Sequence, residues 1–419
     1  MDFSVILPTF NEEKNIGGLI EKIRDILGNS GYSHEIIVAD AGSTDNTFQV
    51  AKEKGAQVFI QKRPGYGGAL KDAVELARGT YIITIDADFS HNPYVIKRLI
   101  SGVSTSHILI ASRYIRGGLA NMPLSRRILS IILNKSLSFG LSLPVKDISS
   151  GFRLYHAEIF KEIDFSEENF SVLMEILVKA YMHGFRVREI PFHYQPRAKG
   201  RSHAKIVKFG CEFLRTFLKM WKMRNTIASA DYDERAFYSR IPLQRFWQRQ
   251  RYKIIVGFMG YFNRILDAGC GTSKILGAFP QAVGLDINFK KLRFNLSLGN
   301  SLVNGDCTRL CFKDDSFDAV ICSEVIEHLK DNERIFLELK RVLKQGGILV
   351  LGTPDYSRWS WVMLEWLYKR IVPGGYADEH ITHYTQKGLV QKLQGLGFQL
   401  EAKRYILGSE LICKFVKLS

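Results

Sequence analysis

Short apolar runs rich in β-branched residues alternate with longer segments of helical periodicity through the first half of the chain. The runs SVILP, EIIVAD, QVFIQ, YIITID and ILIAS are predicted strands, and NIGGLIEKIRDIL, apolar at positions 16, 19, 20, 23, 26 and 27, is a predicted helix. Strands separated by helices predict a largely parallel sheet. Ligands of such sheets bind beyond the carboxyl ends of the strands, where Asp40, Asp86 and Asp88 fall.

This alternation stops between residues 197 and 260, where the sequence becomes basic, aromatic and helical. A second alternation follows, with strands at RILDAG, AVGLDI, DAVICS and ILVLGT, a helix at DNERIFLELKRVLK and closing strands around FQLEAKRYIL and LICKFVKL. We therefore predict α/β domains at residues 1–225 and 263–419. Residues 226–262 are predicted to form a basic, aromatic, helical linker that includes the first helices of the second domain.

Composition narrows the possible partners. The formal net charge of +16 over 419 residues favours an anionic partner, which could be a membrane surface, a nucleic acid or a phosphorylated substrate. The six cysteines form no C-x-x-C pair, so neither a zinc site nor a disulfide framework is indicated. No run approaches the roughly 18 apolar residues of a spanning helix, and the charged start of a signal peptide is missing, so we expect a cytosolic protein.

The pair Asp86 and Asp88 closes the predicted strand YIITID. Two carboxylates one residue apart could hold Mg²⁺ or Mn²⁺ against a diphosphate, because these ions prefer oxygen ligands. The alternative is a cap for the helix at NPYVIKRLI, a role for which Ser90, His91 and Asn92 compete.

An ordered set of motifs gives these aspartates a context. The stretches LPTFNEEKNI, VADAGSTDNT, KRPGYGGAL, ASRYIRGG and SSGFRLY resemble those of family 2 glycosyltransferases with the GT-A fold, most closely the polyprenyl-phosphate (dolichyl-phosphate) mannose and glucose synthases. The resemblance covers about residues 1–225 and implies that Asp86 and Asp88 are the metal ligands. The residues that it assigns to the nucleotide sugar are Pro8, Thr9, Asn11, Glu12, Asp40, Asp86, Asp88, Arg153, Arg197 and Ser202.

The resemblance also implies how a lipid phosphate is held. Arg113, Arg126 and Ser130 match positions that grip it, and Arg197, Ser202 and Lys205 match a basic loop that closes over the phosphates. A phosphate monoester, with a second pKa of about 6, is already ionised and needs cations, whereas a hydroxyl acceptor needs a base. Glu175 could be that base, or it could orient the pocket or pair with a cation. The predicted catalytic residues are Asp88, Arg113, Arg126, Ser130, Glu175, Arg197 and Lys205.

Two segments favour a membrane-borne acceptor. Residues 197–224 carry nine Lys or Arg against one Glu, with apolar residues at 206, 209, 213, 217, 220 and 221, a pattern typical of a helix bound to anionic lipid. Residues 128–143 are apolar enough to enter the headgroup region. The alternative for both is packing on the protein's own sheet. We predict peripheral association with the cytoplasmic face of a membrane and no nucleic-acid partner.

In the second half, the stretches RILDAGCGTSKIL, VGLDIN, NGDCTRLCFKDDSFDAVICSEVIEHL and LKRVLKQGGILVLGTP resemble the class I S-adenosylmethionine-dependent methyltransferases. Ser273 departs from the usual glycine and is expected to narrow the turn. His328, His380 and His383 are candidate bases, and residues 357–384 a candidate acceptor lid. The resemblance assigns S-adenosyl-L-methionine to Asp267, Gly269, Cys270, Gly271, Asp286, Ile287, Asp306, Cys307, Ser323 and Glu324.

The sequence therefore predicts a bifunctional transferase. The first domain would transfer a hexose from GDP-mannose or UDP-glucose to a polyprenyl or dolichyl phosphate, and the second would methylate a glycan, glycolipid or other small molecule. Three alternatives remain: a hydroxyl acceptor with Glu175 as base, a nucleic-acid-binding methyltransferase with a basic docking module, and a membrane-surface scaffold with one inactive site.

Overall fold

The structure is a computed structural model that describes residues 1–196, 206–330, 333–371 and 380–418. The chain divides into two compact units, Met1–Arg224 and Asn225–Ser419. Each unit has its own seven-stranded sheet, with buried apolar clusters packed against it. Among the helices within these ranges, none is long and apolar enough to cross a bilayer.

The first unit alternates strands and helices along most of its length. Its elements, in chain order, are β1 (Phe3–Thr9), α1 (Glu13–Gly28), β2 (His34–Asp40), α2 (Thr47–Glu53), β3 (Gln57–Ile60), α3 (Gly65–Leu76), β4 (Tyr81–Thr84), α4 (Val95–Ile100), β5 (Ile108–Ser112), β6 (Leu119–Ala120), α5 (Leu124–Gly140), β7 (Arg153–His156), α6 (Glu158–Glu162), α7 (Val172–Met182), β8 (Val187–Pro191), β9 (His193–Tyr194) and α8 (Ile206–Arg224).

The sheet of the first unit has the order β3-β2-β1-β4-β7-β5-β8, and a small second sheet pairs β6 with β9. Its strands are parallel except β7, which runs antiparallel to β4 and β5, so the predicted largely parallel sheet is confirmed. The apolar positions predicted for α1 are all buried against this sheet. Because β7 is reversed, its first residue, Arg153, pairs with Thr84 at the end of β4.

The second unit begins with helices and then alternates. Its elements are α9 (Tyr232–Phe237), α10 (Pro242–Phe258), β10 (Ile265–Ala268), α11 (Lys274–Ala278), β11 (Val283–Asp286), α12 (Phe289–Asn295), β12 (Ser301–Asn304), β13 (Phe317–Ser323), α13 (Arg334–Val342), β14 (Leu343–Pro354), α14 (Trp359–Ile371), α15 (Gln386–Gly395), β15 (Phe398–Ile406) and β16 (Glu410–Lys417), with 3₁₀ turns at Leu296–Leu298 and Ile326–His328.

The sheet of the second unit has the order β12-β11-β10-β13-β14-β16-β15. The first five strands in this order are parallel, and β16 is antiparallel to both β14 and β15. The α/β fold class predicted for both halves is confirmed. The parallel register also brings the carboxyl ends of β10, β11 and β13 to one edge of the sheet, where a ligand site is expected.

Candidate functional site

The first candidate site lies at the carboxyl edge of β1, β2 and β4. Parallel register pairs Thr9 with Asp40 at the ends of β1 and β2, and Ile6 with Thr84 on β4. Asp86 follows Thr84 by two residues. The strand ends therefore gather the predicted carboxylates on the same side of the sheet, as the topology requires.

Asp86 and Asp88 differ in their exposure. The Asp86 side chain is one third exposed and its carboxylate lies 3.8 Å from Nδ1 of His91, whereas Asp88 is buried and accepts a hydrogen bond from the Ser90 N–H at 2.9 Å. Burial lowers the pKa of His91, although both aspartates oppose this shift. Neither aspartate caps α4, which begins at Val95 without a side-chain cap, whereas Oδ1 of Asn92 accepts the Tyr94 N–H at 3.1 Å just before the helix.

The predicted nucleotide residues after β1 and β2 form two cross-linked loops. Both carboxylate oxygens of Asp40 accept hydrogen bonds from its own loop, from the Gly42 N–H at 2.8 Å and from the N–H and Oγ of Ser43 at 2.6 and 2.7 Å. Asn11 joins the loops through its amide oxygen, which accepts from the Thr44 N–H at 2.8 Å. These contacts fix the Asp40 carboxylate at the strand end.

Two further predicted residues border these loops. Glu12 is buried and accepts a hydrogen bond from Nδ2 of Asn15 at 2.6 Å. Thr9 is buried at the end of β1, where Pro8 precedes it and is partly exposed. The side chains that the resemblance assigns to the base and ribose therefore lie at the same edge of the sheet as the predicted metal ligands.

The glycine-rich start of α3 serves close packing. A Cβ atom on Gly67 would lie 2.0 Å from the carbonyl oxygen of Glu167, and one on Gly65, whose φ is +74°, would lie 2.3 Å from that of Glu168. The Gly67 N–H donates to the Glu168 carbonyl at 2.6 Å. Between these glycines, Tyr66 stacks on Phe170 with ring centroids 4.4 Å apart. Glycine is therefore required for contact with the 167–170 backbone.

Glu175 holds that same backbone in place. It is fully buried on α7, and its Oε2 accepts the N–H groups of Ser166 and Glu167, each at 2.9 Å. Its Oε1 lies 2.8 Å from Nζ of Lys179 and 3.6 Å from Nζ of Lys219. Burial alone would raise the pKa of Glu175, but the Lys179 contact and the backbone donors outweigh it and lower the pKa. A buried, low-pKa carboxylate is poorly suited to deprotonate a hydroxyl, so the structure favours the pairing alternative.

Arg113 forms a largely buried bidentate ion pair. Its Nε and Nη2 donate to the Asp147 carboxylate at 2.8 and 2.6 Å, and Nη2 also donates to Oγ of Ser149 at 2.7 Å. Burial would lower the pKa of Arg113, but Asp147 raises it, so the guanidinium stays charged. Next to it, the Tyr114 hydroxyl donates to Oγ of Ser130 at 2.7 Å. Two residues predicted to grip the phosphate therefore belong to adjoining hydrogen-bonded pairs.

Arg153 requires a correction. Its side chain is fully buried, and its guanidinium donates to the backbone carbonyls of Ser150 and Leu173, each at 2.7 Å, and to that of Ile148. These contacts fit a brace for the loop that precedes β7 and do not fit the predicted direct contact with a nucleotide sugar. Gly151 in that loop borders Asp86, since a Cβ atom there would lie 3.4 Å from its Oδ1.

Of the remaining residues predicted to contact the phosphates, one lies within the described part of the chain and three do not. Arg126 is exposed in the first turn of α5, one turn before Ser130. Three others, Arg197, Ser202 and Lys205, lie outside the described residues, and their predicted roles stay predictions.

The two predicted membrane segments are partly buried and partly exposed. On α8, Phe213 and Met220 are buried in the core, and α8 meets α5 closely, since a Cβ atom on Gly140 would lie 2.6 Å from the Phe217 ring. Apolar side chains on the outer faces of both helices remain 47–59% exposed: Ile128, Leu129 and Ile132 on α5, and Leu214, Leu218 and Trp221 on α8.

The second candidate site is a cavity of about 250 Å³ at the carboxyl edge of β10, β11 and β13. All ten residues predicted for S-adenosylmethionine line it: Asp267, Gly269, Cys270, Gly271, Asp286, Ile287, Asp306, Cys307, Ser323 and Glu324. Residues at or just after the ends of four strands, β10, β11, β12 and β13, therefore converge on one partly open cavity, the kind of concave space in which small ligands bind.

Two carboxylates with different surroundings face this cavity. Asp286 accepts the N–H groups of Gly271 and Asn288 at 2.8 and 2.7 Å. Asp267 is buried, and its Oδ2 has no hydrogen-bond partner in the described part of the chain. Burial, together with the charge of Asp286, raises the pKa of Asp267 to about 7. A buried carboxylate without a donor is costly, and a cationic ligand group would remove that cost.

The turn after β10 depends on two glycines. Gly269 and Gly271 have φ values of +76° and +50°, and a Cβ atom on Gly269 would lie 2.3 Å from Val325. Ser273, which was expected to narrow this turn, has a φ of −69°, which is ordinary for any residue, and directly precedes α11. The serine therefore causes no backbone strain, and since it lines the cavity, its narrowing of the turn stays a prediction.

Helices from the predicted linker complete the cavity. Asp233 from α9 and Gln248 and Arg251 from α10 line it. Asp233 accepts the Thr272 N–H at 3.1 Å, and Arg251 pairs with Glu324 and Glu410 at 3.0 and 2.6 Å. The sequence analysis missed these residues, because their only signal was charge within a basic, aromatic segment.

The three candidate histidines occupy different positions. His328 lines the cavity, and its ring centroid is 5.1 Å from that of His380. His383 instead stacks on Tyr356 at 4.0 Å. Of the predicted lid, residues 372–379 lie outside the described residues, and Trp359 and Trp366 on α14 are 74% and 53% exposed.

The fold and the two sites define a chain with two α/β ligand-binding units, each with acidic residues at the carboxyl ends of parallel strands. Comparison with known proteins identifies both. Residues 4–164 match the model described as glycosyl transferase family 2, and residues 266–351 match the model described as a methyltransferase domain.

Individual proteins are also similar to parts of the chain. The chain is 33% identical over 236 residues to a dolichol-phosphate mannosyltransferase of Pyrococcus furiosus, spanning 54% of this chain and 66% of that protein. It is 34% identical over 197 residues to an uncharacterised protein of Methanocaldococcus jannaschii, spanning 45% and 79%. A crystal structure described as a SAM-dependent methyltransferase, possible histamine N-methyltransferase, of Thermotoga maritima matches 44% of this chain and 93% of its own, with a TM-score of 0.38 and 20% identity.

The chain therefore belongs to the family 2 glycosyltransferases through its first unit, and its second unit is a methyltransferase domain. Both matches are to families of transferases.

Proposed function

We propose that the first unit transfers a hexose from a nucleotide sugar, GDP-mannose or UDP-glucose, to a polyprenyl or dolichyl phosphate. The second unit is proposed to transfer a methyl group from S-adenosylmethionine to a glycan, a glycolipid or another small molecule. The similarity to a protein named dolichol-phosphate mannosyltransferase supports the first activity.

The burial and the contacts of Glu175 favour a phosphate acceptor over a hydroxyl acceptor. A hydroxyl acceptor needs a base, but Glu175 is fully buried and is engaged by Lys179 and by two backbone N–H groups. A phosphate monoester is already ionised near neutral pH and needs only cations around it. Exposed Arg126 could contact such a phosphate directly. Arg113, already paired with Asp147, would instead position Tyr114 and the Ser130 hydroxyl near it.

Asp86 and Asp88 fit a divalent cation in their donor chemistry. Both are carboxylates at a strand end, and oxygen is the ligand that Mg²⁺ and Mn²⁺ prefer. A bound ion would neutralise charge on the departing diphosphate. The protein's own residues would hold the nucleoside in the loops cross-linked by Asp40 and Asn11, and hold the phosphates beside Asp86.

A lipid acceptor also requires contact with a membrane. The exposed apolar faces of α5 and α8, together with the net charge of +16, support peripheral binding to anionic lipid on the cytoplasmic face. The product would then supply the synthesis of a membrane-linked glycan.

The cavity of the second unit fits S-adenosylmethionine on two observations. Asp267 offers a buried carboxylate oxygen that the described residues leave without a donor, suited to the ligand's ammonium group. Each oxygen of Asp286 accepts one backbone N–H and retains a second lone pair for a ribose hydroxyl. When bound, the cofactor supplies an electrophilic methyl group, which the residues at the end of β13 would face.

The glycosyl transfer is tested with purified protein, Mg²⁺ or Mn²⁺, polyprenyl phosphate in detergent and, separately, labelled GDP-mannose and UDP-glucose. We expect label in the organic phase with one donor, and its loss in Asp88→Asn. The matched control is Asp25→Asn, an exposed aspartate on α1, which should keep full activity. Absence of lipid-linked label with both donors, in protein that binds S-adenosylmethionine, would contradict the proposed acceptor.

A further inference from the structure

Three potential metal ligands meet beside the cavity of the second unit. Glu327, His328 and His380 each place one ligand atom, a carboxylate oxygen or a ring nitrogen, so that all three atoms lie within 4.8 Å of one another. His328 also lines the cavity, next to Ser323 and Glu324. The cluster therefore borders the space assigned to the methyl donor, in a different unit from Asp86 and Asp88.

Backbone hydrogen bonds hold the two parts of this cluster together. Glu327 and His328 lie in the 3₁₀ turn that follows β13. The N–H groups of Ile381 and Thr382 donate to the Glu327 carbonyl at 2.8 and 3.0 Å, and the Thr382 hydroxyl donates to the Leu329 carbonyl at 2.6 Å. His380 is thus fixed against the turn by its neighbours in the chain.

The His380 ring is oriented as metal-bound histidines usually are. Its Nδ1 lies 2.8 Å from the Tyr356 hydroxyl and 3.3 Å from a carboxylate oxygen of Glu365, and Trp361 stacks on the ring at 5.9 Å. Metal-ligating histidines commonly engage a carboxylate through the ring nitrogen that does not bind the metal. Nε2 is then the atom that His380 would offer to an ion.

The burial and contacts of Glu327 give an independent indication of a cation site. Its side chain is fully buried; Oε2 accepts from the Thr353 hydroxyl at 3.1 Å, while Oε1 has no hydrogen-bond partner among the described residues. A buried carboxylate with an open oxygen is unfavourable unless a cation completes it.

We propose that Glu327, His328 and His380 bind a divalent transition-metal ion at the rim of the methyl-donor cavity. Two imidazoles with one carboxylate favour Mn²⁺, Fe²⁺, Co²⁺, Ni²⁺ or Zn²⁺ over Ca²⁺ or Mg²⁺. Three protein ligands leave coordination positions open, as in metal sites that bind substrate. Those positions would take a hydroxyl oxygen of the methyl acceptor, a use that rests on the proposed methyl transfer.

The test counts Mn²⁺ ions on the 419-residue chain, with the first unit's predicted ligands removed by Asp86→Asn and Asp88→Asn. We expect one Mn²⁺ per chain to remain, with nitrogen couplings in pulsed electron paramagnetic resonance. Adding His328→Ala or His380→Ala should lower the affinity for this ion by at least about tenfold, since loss of even an outer-shell partner costs that much. The matched control is His383→Ala, a nearby histidine outside the cluster, which should keep it.

Thermal unfolding, measured on the same variants by scanning calorimetry, verifies that the second unit is folded; S-adenosylmethionine binding does not serve for this, because His328 lines the cavity. Failure to bind Mn²⁺ in a folded double-aspartate variant, or a bound ion without nitrogen coupling, would overturn the site. A bound, nitrogen-coupled ion supports it even if the wild-type protein binds no S-adenosylmethionine, an outcome that would overturn only the proposed methyl transfer.

Discussion

Asp267→Asn should strengthen the fold and weaken the binding of S-adenosylmethionine. The wild-type carboxylate is buried in the cavity, its Oδ2 lacks a hydrogen-bond partner among the described residues, and burial raises its pKa to about 7. A neutral amide avoids the cost of that charge, but it cannot form a charge-assisted hydrogen bond to an ammonium group. Opposite effects on stability and on binding are expected of a residue kept for its ligand.

The magnitude follows from the pKa. Its rise from 3.8 to about 7 means that the folded protein holds this proton more tightly than the unfolded chain, so stability falls as pH rises between these values. Above pH 7, the ionised Asp267 carboxylate lowers the free energy of unfolding by at most about 4 kcal/mol. The buried amide of the variant itself costs about 1–3 kcal/mol, because its polar atoms are left without partners, and this cancels part of the gain. We expect Asp267→Asn to unfold at a temperature several degrees higher at pH 8, with no difference near pH 4.

Binding should change in the other direction. Loss of a hydrogen bond to a charged group costs about 1.5–3 kcal/mol, or about 10- to 150-fold in Kd. Because the wild-type carboxylate must ionise to bind the cation, its Kd should rise by about tenfold for each pH unit below 7. Calorimetric titration with S-adenosylmethionine between pH 5.5 and 7.5 measures both effects.

Asp355→Asn is the matched control. Asp355 is equally buried, but its oxygens accept hydrogen bonds from Ser357, Tyr405 and Gln386, which together outweigh burial and lower its pKa. It does not line the cavity. This variant should lose stability at neutral pH and keep its affinity. Wild-type affinity in Asp267→Asn, or a wild-type Kd that is constant over this pH range, would refute the reasoning.

Three further predictions concern the first unit. Glu175→Gln should lower the free energy of unfolding by about 2 kcal/mol, because a charged acceptor is lost, and should change kcat for hexose transfer less than tenfold; a loss of a hundredfold or more in folded protein would restore Glu175 as base. Gly67→Ala should cost several kcal/mol in denaturant unfolding, because its Cβ would lie 2.0 Å from the Glu167 carbonyl oxygen; a stability within about 0.5 kcal/mol of wild type would contradict this packing. Leu214→Ser with Leu218→Ser should reduce cosedimentation with anionic vesicles without lowering Tm, since these side chains are 59% and 54% exposed; unchanged sedimentation would remove α8 from the proposed membrane surface.

The strand-end residues were predictable from the sequence. Asp40, Asp86, Asp267 and Asp286 each follow a short apolar run, and parallel strands place their carboxyl ends at one edge. Gly269 and Gly271 were also predictable, because the sequence places them in a turn directly after a strand. Their positive φ values are the conformation that glycine adopts most easily. Local pattern and topology suffice for such positions.

Contacts between distant segments were not predictable in this way. The ion pair of Arg251 with Glu410 joins residues 159 apart in the sequence, and the brace formed by Arg153 depends on a short antiparallel strand that the pattern did not reveal. An arginine in a motif indicates either a ligand contact or a structural brace, and only burial distinguishes them. For Arg153, complete burial decides in favour of the brace.

Under the proposed function, the two units use the same topological position for opposite electrostatic tasks. In the first, the Asp86 side chain is one third exposed, so it can keep its charge in water and still hold a cation against an anionic diphosphate. In the second, Asp267 is buried, so its charge is costly until a cationic ligand arrives. The strand end determines where each carboxylate lies, and the burial of the carboxylate determines which charge a ligand must have to bind there. The same reasoning applies to Glu327, which is completely buried and has one carboxylate oxygen without a hydrogen-bond partner in the described part of the chain, so it suits a cationic ligand.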